Sequence, residues 1–129
     1  FENDLGYTRS ERIMNVRRIA FAARVLSDLG VTVIVANIAP YFEVRDFLRR
    51  KLPLYVQIYL KTSLKAVIDR DVQGHYQRNQ AGQMANLIGV DDKYEEPRNP
   101  NLVITTDGES VNESFSRIKE FLFCKECSL

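Results

Sequence analysis

A chain of 129 residues is long enough to bury the core of one domain, and its 18 basic against 17 acidic side chains leave a net charge of +1, so no global field draws it to nucleic acid or to an anionic membrane. No apolar run approaches the roughly 20 residues that cross a bilayer and no signal peptide is evident, which makes the cytoplasm the expected compartment. The chain opens on Phe1 rather than a methionine, so it is read as part of a longer polypeptide.

Near the start, Gly6 permits a bend, and Thr8 with Glu11 three residues on fits a capping box, which starts a helix at about Arg9. Tyr7 is left at the corner outside it. The helix extends to about Leu29, with Gly30 where a C-cap glycine stands. Arg12 and Asn15 share a face, and their line continues through Ile19, Ala22, Leu26 and Leu29, expected to point inward. Arg12 and Asn15 then lie where the buried stripe meets the core edge, a place for a guanidinium and an amide to meet an anion or a base. The residues alone also allow plain solvated surface, since arginines at a helix start oppose its dipole.

Val31 to Ala36 is an unbroken apolar run, the pattern of a parallel strand covered on both faces and central in its sheet. It empties into Ile38, Ala39, Pro40 and Tyr41. Ligands of open parallel sheets bind beyond the carboxyl ends of strands, and Pro40 stiffens the backbone there, so this loop is a candidate wall or else only a tight connection. A charged helix from Glu43 to Lys51, a strand from Leu54 to Leu60 and a helix from Ser63 to Arg70 capped by Ser63 follow. This alternation predicts an α/β layered fold with a parallel sheet and right-handed crossovers.

Between about 71 and 100 the chain makes an excursion too long for a plain connection, with a polar stretch from Gln77 to Gln83 and a loop from Met84 to Pro100, and it is read as a lid. His75 has no carboxylate near it in sequence and is read as a lid side chain, not a general base. Leu102 to Thr105 is a last strand, Thr106-Asp107-Gly108 a turn, and Ser110 to Phe123 a closing helix with Glu113 completing a Ser110 cap and Ile118, Phe121 and Leu122 inward. Cys124 and Cys127 follow a helix C-terminus, where no dipole activates a thiol, and lack a four-ligand zinc set, so they are read as a plain tail.

The run Gly6-Tyr7-Thr8 through Glu11, Arg12, Asn15 and Arg18 resembles the adenylylsulfate kinase motif G-F-[ST]-x-x-[DE]-R-x-x-N-x-x-R, and the segment Gly89 to Pro97 is similar to that family's G-[IV]-D-D-x-Y-E-x-P. The resemblance implies a three-layer, P-loop-kinase type α/β fold and transfer of the ATP γ-phosphoryl group to the 3′-hydroxyl of adenylylsulfate, with Mg²⁺, as in sulfate assimilation. It places Tyr7, Arg12, Asn15, Ile38, Ala39, Pro40, Tyr41 and Leu87 around the acceptor nucleotide, and Arg70, Arg78 and Thr106 on the ATP and lid side; a surface pairing of Arg70 with Asp71 is the plainer alternative. It implies no nucleic-acid or membrane partner and leaves room for a homodimer. The family's G-x-x-x-x-G-K-[ST] phosphate loop does not occur in this sequence, so catalytic residues are left unassigned and disorder, truncation or loss of that segment stay open. The family lid sequence I-K-G-F-T-G reads Met84-Ala85-Asn86-Leu87-Ile88-Gly89 here, without its lysine and its aromatic. Those departures favour, as an alternative, a relative acting on another nucleotide in capsule or surface-sugar metabolism; a third reading is a non-catalytic sulfonucleotide-binding regulatory domain.

Overall fold

The computed structural model describes residues 5–123; Cys124 and Cys127 lie outside them. In chain order the elements are α1 (Arg9–Asp28), α2 (Phe42–Lys51), β1 (Ile58–Lys61), α3 (Leu64–Arg70), α4 (His75–Gln80), β2 (Leu102–Thr105) and α5 (Val111–Phe123). They fall into two compact units: Phe1–Tyr55 with Gly74–Glu96, and Val56–Gln73 with Pro97–Leu129.

In the first unit, α1 begins at the expected capping box. The Thr8 hydroxyl accepts from the Glu11 amide at 3.4 Å while the Glu11 carboxylate accepts from the Thr8 amide at 3.0 Å. Gly6 matters sterically: a Cβ there would fall 2.9 Å from Glu11 Oε2, the oxygen that closes the box. At the far end Gly30 has φ +79°, the left-handed turn that glycine adopts without a Cβ penalty.

The buried face of α1 differs from the expected one. Val16, Ala20 and Ala23 are buried, with Ile13 packed beside them, whereas Ala22, Leu26 and Leu29 are exposed. This helix carries apolar residues on two faces. Periodicity cannot choose between them; α2 does, by packing Val44 and Leu48 with Tyr41 and Ile88 against Val16 and Ala20.

Val31 to Ala36 is not a strand: the segment runs without a ladder partner among the described residues, and Ile34 is 89% exposed. Apolar β-branched residues favour extended backbone, but a strand requires a neighbour to accept its hydrogen bonds.

The second unit contains the parallel pairing the sequence predicts. β1 and β2 run parallel in the register Ile58↔Leu102 to Lys61↔Thr105. β1 starts later than Leu54 because Leu54 takes φ +54°, 90% exposed, in a turn after Pro53. Ser63 caps α3 by accepting from the Ala66 amide at 3.2 Å. Ser110 and Glu113 form the reciprocal cap of α5, with the Ser110 amide donating to Glu113 Oε2 at 2.7 Å. Of the α5 residues expected inward, Ile118 and Phe121 are half-buried but Leu122 is exposed. Ile104 on β2 is fully buried.

Truncating Ile104 to alanine therefore leaves a cavity and should destabilise the protein by about 2–5 kcal/mol, whereas Val72→Ala, at an exposed site, should stay within about 0.5 kcal/mol; denaturant titration of both variants checks this.

Candidate functional site

The corner ahead of α1 and the loop ahead of α2 belong to the same unit. Tyr7 is half exposed at the corner. Arg12 sits one turn into α1, its Nε donating to the Tyr7 carbonyl at 3.0 Å and its Nη2 to the Asn86 carbonyl at 2.8 Å, with the guanidinium 5.3 Å from the centre of the Tyr7 ring. Both acceptors are neutral carbonyls, so the side chain is fixed while its charge is left uncompensated by them. Asn15, one turn further along the same face, is exposed.

The loop is built differently. Ile38 is exposed, Ala39 half-buried, and Pro40 and Tyr41 are fully buried. The Asn37 side chain accepts from the Ala39 amide at 3.2 Å, an Asx turn that sets the approach to Pro40. The Tyr41 hydroxyl donates to Asp92 Oδ2, and Arg9 lies 3.9 Å over the Tyr41 ring while its Nη2 pairs with Glu43 at 2.7 Å. Burial pushes the Tyr41 phenol up to about 12, and the bond to Asp92 adds to the rise, against a smaller opposing pull from Arg12 and Arg9. The pair with Glu43 raises Arg9 further above the usual guanidinium range.

Arg45, one turn into α2, is buried and binds two carbonyls: Nη1 donates to Ala39 O at 2.7 Å and Nη2 to Glu95 O. The Glu95 amide in turn donates to Pro40 O at 3.0 Å, and its carboxylate accepts from the Phe42 amide. The residues around Gly89 to Glu95 are thus stapled to the 39–42 loop. The excursion read as one lid is in fact divided: Gly74–Glu96 belongs to the first unit and contains α4, while its two flanks belong to the second.

Leu87 is buried, 8% exposed, so protein already covers the side chain expected to cover a base. Its neighbour Ala85 is exposed. Arg78 donates to the Gly74 carbonyl at 3.3 Å and contacts His75 Nδ1 at 2.7 Å.

In the second unit, Arg70 turns to Thr106, with Nη2 on its carbonyl at 2.7 Å and Nη1 on its hydroxyl at 3.2 Å. Thr106 Oγ1 is also hydrogen-bonded to Thr62 Oγ1 at 2.7 Å. Two of the three residues expected on the ATP and lid side, Arg70 and Thr106, thus meet in one cluster. Beside them Asp107 accepts from the Ser63 amide at 3.0 Å, and that bond holds its carboxyl below the usual range.

Arg9, Arg45 and Asn86 escape sequence reading. A cation at the buried edge of the α2 stripe, at position 45, is the one local signal available; each of the three has a partner from a distant part of the chain.

The family model described as adenylylsulphate kinase matches residues 1–105. An adenylyl-sulfate kinase of Deinococcus deserti is 41% identical over 118 residues, 92% of this chain and 65% of that protein; one of Halothermothrix orenii is 37% identical over 119 residues, 92% of this chain and 64% of that protein. The chain thus spans less than two thirds of the length of these curated relatives. The structure of the Mycobacterium tuberculosis APS kinase CysC in complex with AMPPNP and APS superposes with a TM-score of 0.85 at 31% identity, covering 92% of this chain and 70% of that one.

The Tyr41 shift has a pH consequence. Its neutral phenol is favoured in the folded state, so the contribution is complete below the ordinary value of 10.0, and is lost as pH rises through about 12. Chemical denaturation between pH 9 and 12, on the order of the alkaline tyrosine range, should show a fall of at most roughly 1.4 kcal/mol per pH unit from this residue, and Tyr41→Phe should flatten that limb.

Proposed function

The chain belongs to the adenylylsulphate kinase family, and from that premise we propose that the protein transfers the γ-phosphoryl group of ATP to the 3′-hydroxyl of adenylylsulfate, the step that yields 3′-phosphoadenylyl sulfate in sulfate assimilation. The observation that carries the assignment of the acceptor site is Arg12: a cation pinned by two neutral carbonyls beside a half-exposed tyrosine ring. Such a pair suits a nucleotide, the ring for its base and the guanidinium for its anion.

Phosphoryl transfer asks the protein chiefly to position in-line groups and neutralise charge. In this reading Tyr7, Arg12 and Asn15 bind the acceptor, and Ile38 to Tyr41 form a rigid wall beside it. Arg70, flattened against Thr106, offers a planar face on which an ATP base can stack. Arg78 reaches an ATP phosphate only by leaving its bonds to Gly74 and His75. Magnesium, when bound, screens the phosphate charge. Among the described residues no group of three or more His, Cys, Asp or Glu side chains is placed to hold a metal, and none is assigned to it.

A second reading is favoured by Leu87. With that side chain buried and Ala85 in place of a cation, the lid segment offers the acceptor neither an exposed ring nor a charge at these positions, which suits a kinase of another nucleotide. A panel of acceptors with labelled ATP separates the readings: preferential phosphorylation of adenylylsulfate supports the first, and faster transfer to another nucleotide replaces it with the second. Absence of transfer together with tight adenylylsulfate binding points to a regulatory sulfonucleotide-binding domain.

Arg12→Ala should weaken adenylylsulfate binding by about 10- to 100-fold, the range of a hydrogen bond to a charged group, and leave binding of a non-hydrolysable ATP analogue within about twofold; isothermal titration of both ligands measures the contrast.

A further inference from the structure

Asn86 takes the left-handed conformation, with φ at +60°, and its carbonyl is an acceptor of Arg12 at 2.8 Å. The peptides on both sides of it are held. Ahead, the Asn79 side-chain amide donates to the Met84 carbonyl at 2.9 Å and, with the same nitrogen, to Asp91 Oδ2 at 2.7 Å. Behind, the Leu87 amide donates to that same Asp91 oxygen at 2.9 Å, and the Leu87 carbonyl accepts from the Asp91 amide at 2.9 Å. A left-handed conformation fixed from both ends is one that the surroundings over-determine, and asparagine is among the few side chains that tolerate it.

We propose that Asn86 is a positioning residue for the acceptor site, its left-handed turn aiming a main-chain carbonyl at Arg12 so that the guanidinium is held in a fixed plane. The proposal rests on the reading of Arg12 as the acceptor's anion contact. Tyr7 O takes Nε and Asn86 O takes Nη2. Among the described residues nothing accepts from Nη1, which is the edge left for a phosphate or sulfate oxygen. Two anchors on one planar group remove its rotation about the last side-chain bonds, so the ligand does not have to order it. The 84–87 segment thereby contributes to acceptor binding through its backbone, although its side chains at 85 and 87 bring neither charge nor exposed ring.

The test uses steady-state kinetics of the intact protein, with adenylylsulfate and ATP varied separately. Asn86→Gly keeps the turn and should match wild type. Asn86→Val, whose branched Cβ resists positive φ, should raise the adenylylsulfate KM about tenfold, with kcat and the ATP KM within about twofold. Combined with Arg12→Ala it should add nothing beyond the Arg12→Ala loss, because both act through one contact. If the valine variant does not fold, Asn86→Ala imposes the same backbone conflict more mildly and is judged by the same pattern. A wild-type adenylylsulfate KM in these variants, an equal loss in Asn86→Gly, or full additivity with Arg12→Ala overturns the proposal while the acceptor reading stands. An Arg12→Ala enzyme with an unchanged adenylylsulfate KM overturns the acceptor reading, and this proposal with it.

Discussion

The first unit depends on one buried cation. Arg45 is 5% exposed, and taking a guanidinium out of water is costly unless its donors are satisfied with good geometry. Here they reach the Ala39 and Glu95 carbonyls, with Phe42 and Tyr94 rings 5.3 and 5.7 Å from the cation. Those two carbonyls lie 56 positions apart in sequence, so satisfying one side chain forces two distant loops together. Removing the cation would leave both carbonyls to find other partners. Removing either loop geometry would strand a charge, and that second error is the more expensive one. The arrangement of the 39–42 and 92–95 segments therefore follows from Arg45 being inside at all.

From that constraint comes the division of labour in the long excursion. The half that carries Asp92 and Glu95 is bound to the wall by the Tyr41 hydroxyl, the Phe42 amide and the Pro40 carbonyl, as well as by Arg45. The half from α4 to Leu87 is tied by Asn79 and Asp91 within itself and by Arg12 across to α1.

What the sequence disclosed follows the range of the interaction responsible. Thr8 with Glu11, Ser63 with Ala66 and Ser110 with Glu113 are contacts over three residues, and each was legible with its helix boundary to within a residue. β2 was legible because Leu102 to Thr105 is a short β-branched run bounded by turn residues. Val31 to Ala36 has the same local character and forms no strand, because pairing depends on a partner that local composition does not encode. The choice of buried face on α1 failed for a related reason: Leu26 and Val16 are equally apolar, and only the position of α2 separates them. In the candidate site, Tyr7, Arg12 and Pro40 were identified by motif, while Arg9, Arg45 and Asn86 act through partners 34 to 74 positions away.

The partners of the arginines also fall into two kinds. Arg9 faces the Glu43 carboxylate at 2.7 Å, and Arg24 faces Asp28 at 2.8 Å; their charge is already answered, and exposed pairs of this kind add little beyond local order. Arg45 is out of reach of solvent. Arg12 and Arg70 differ from these in the same way: each is fastened by neutral oxygens, Arg12 by two carbonyls and Arg70 by the carbonyl and hydroxyl of Thr106. A neutral acceptor fixes direction without cancelling the field. In Arg12 and Arg70 the guanidinium is thus oriented with no carboxylate hydrogen-bonded to it, and the nucleotide contacts proposed for these two residues rest on that arrangement.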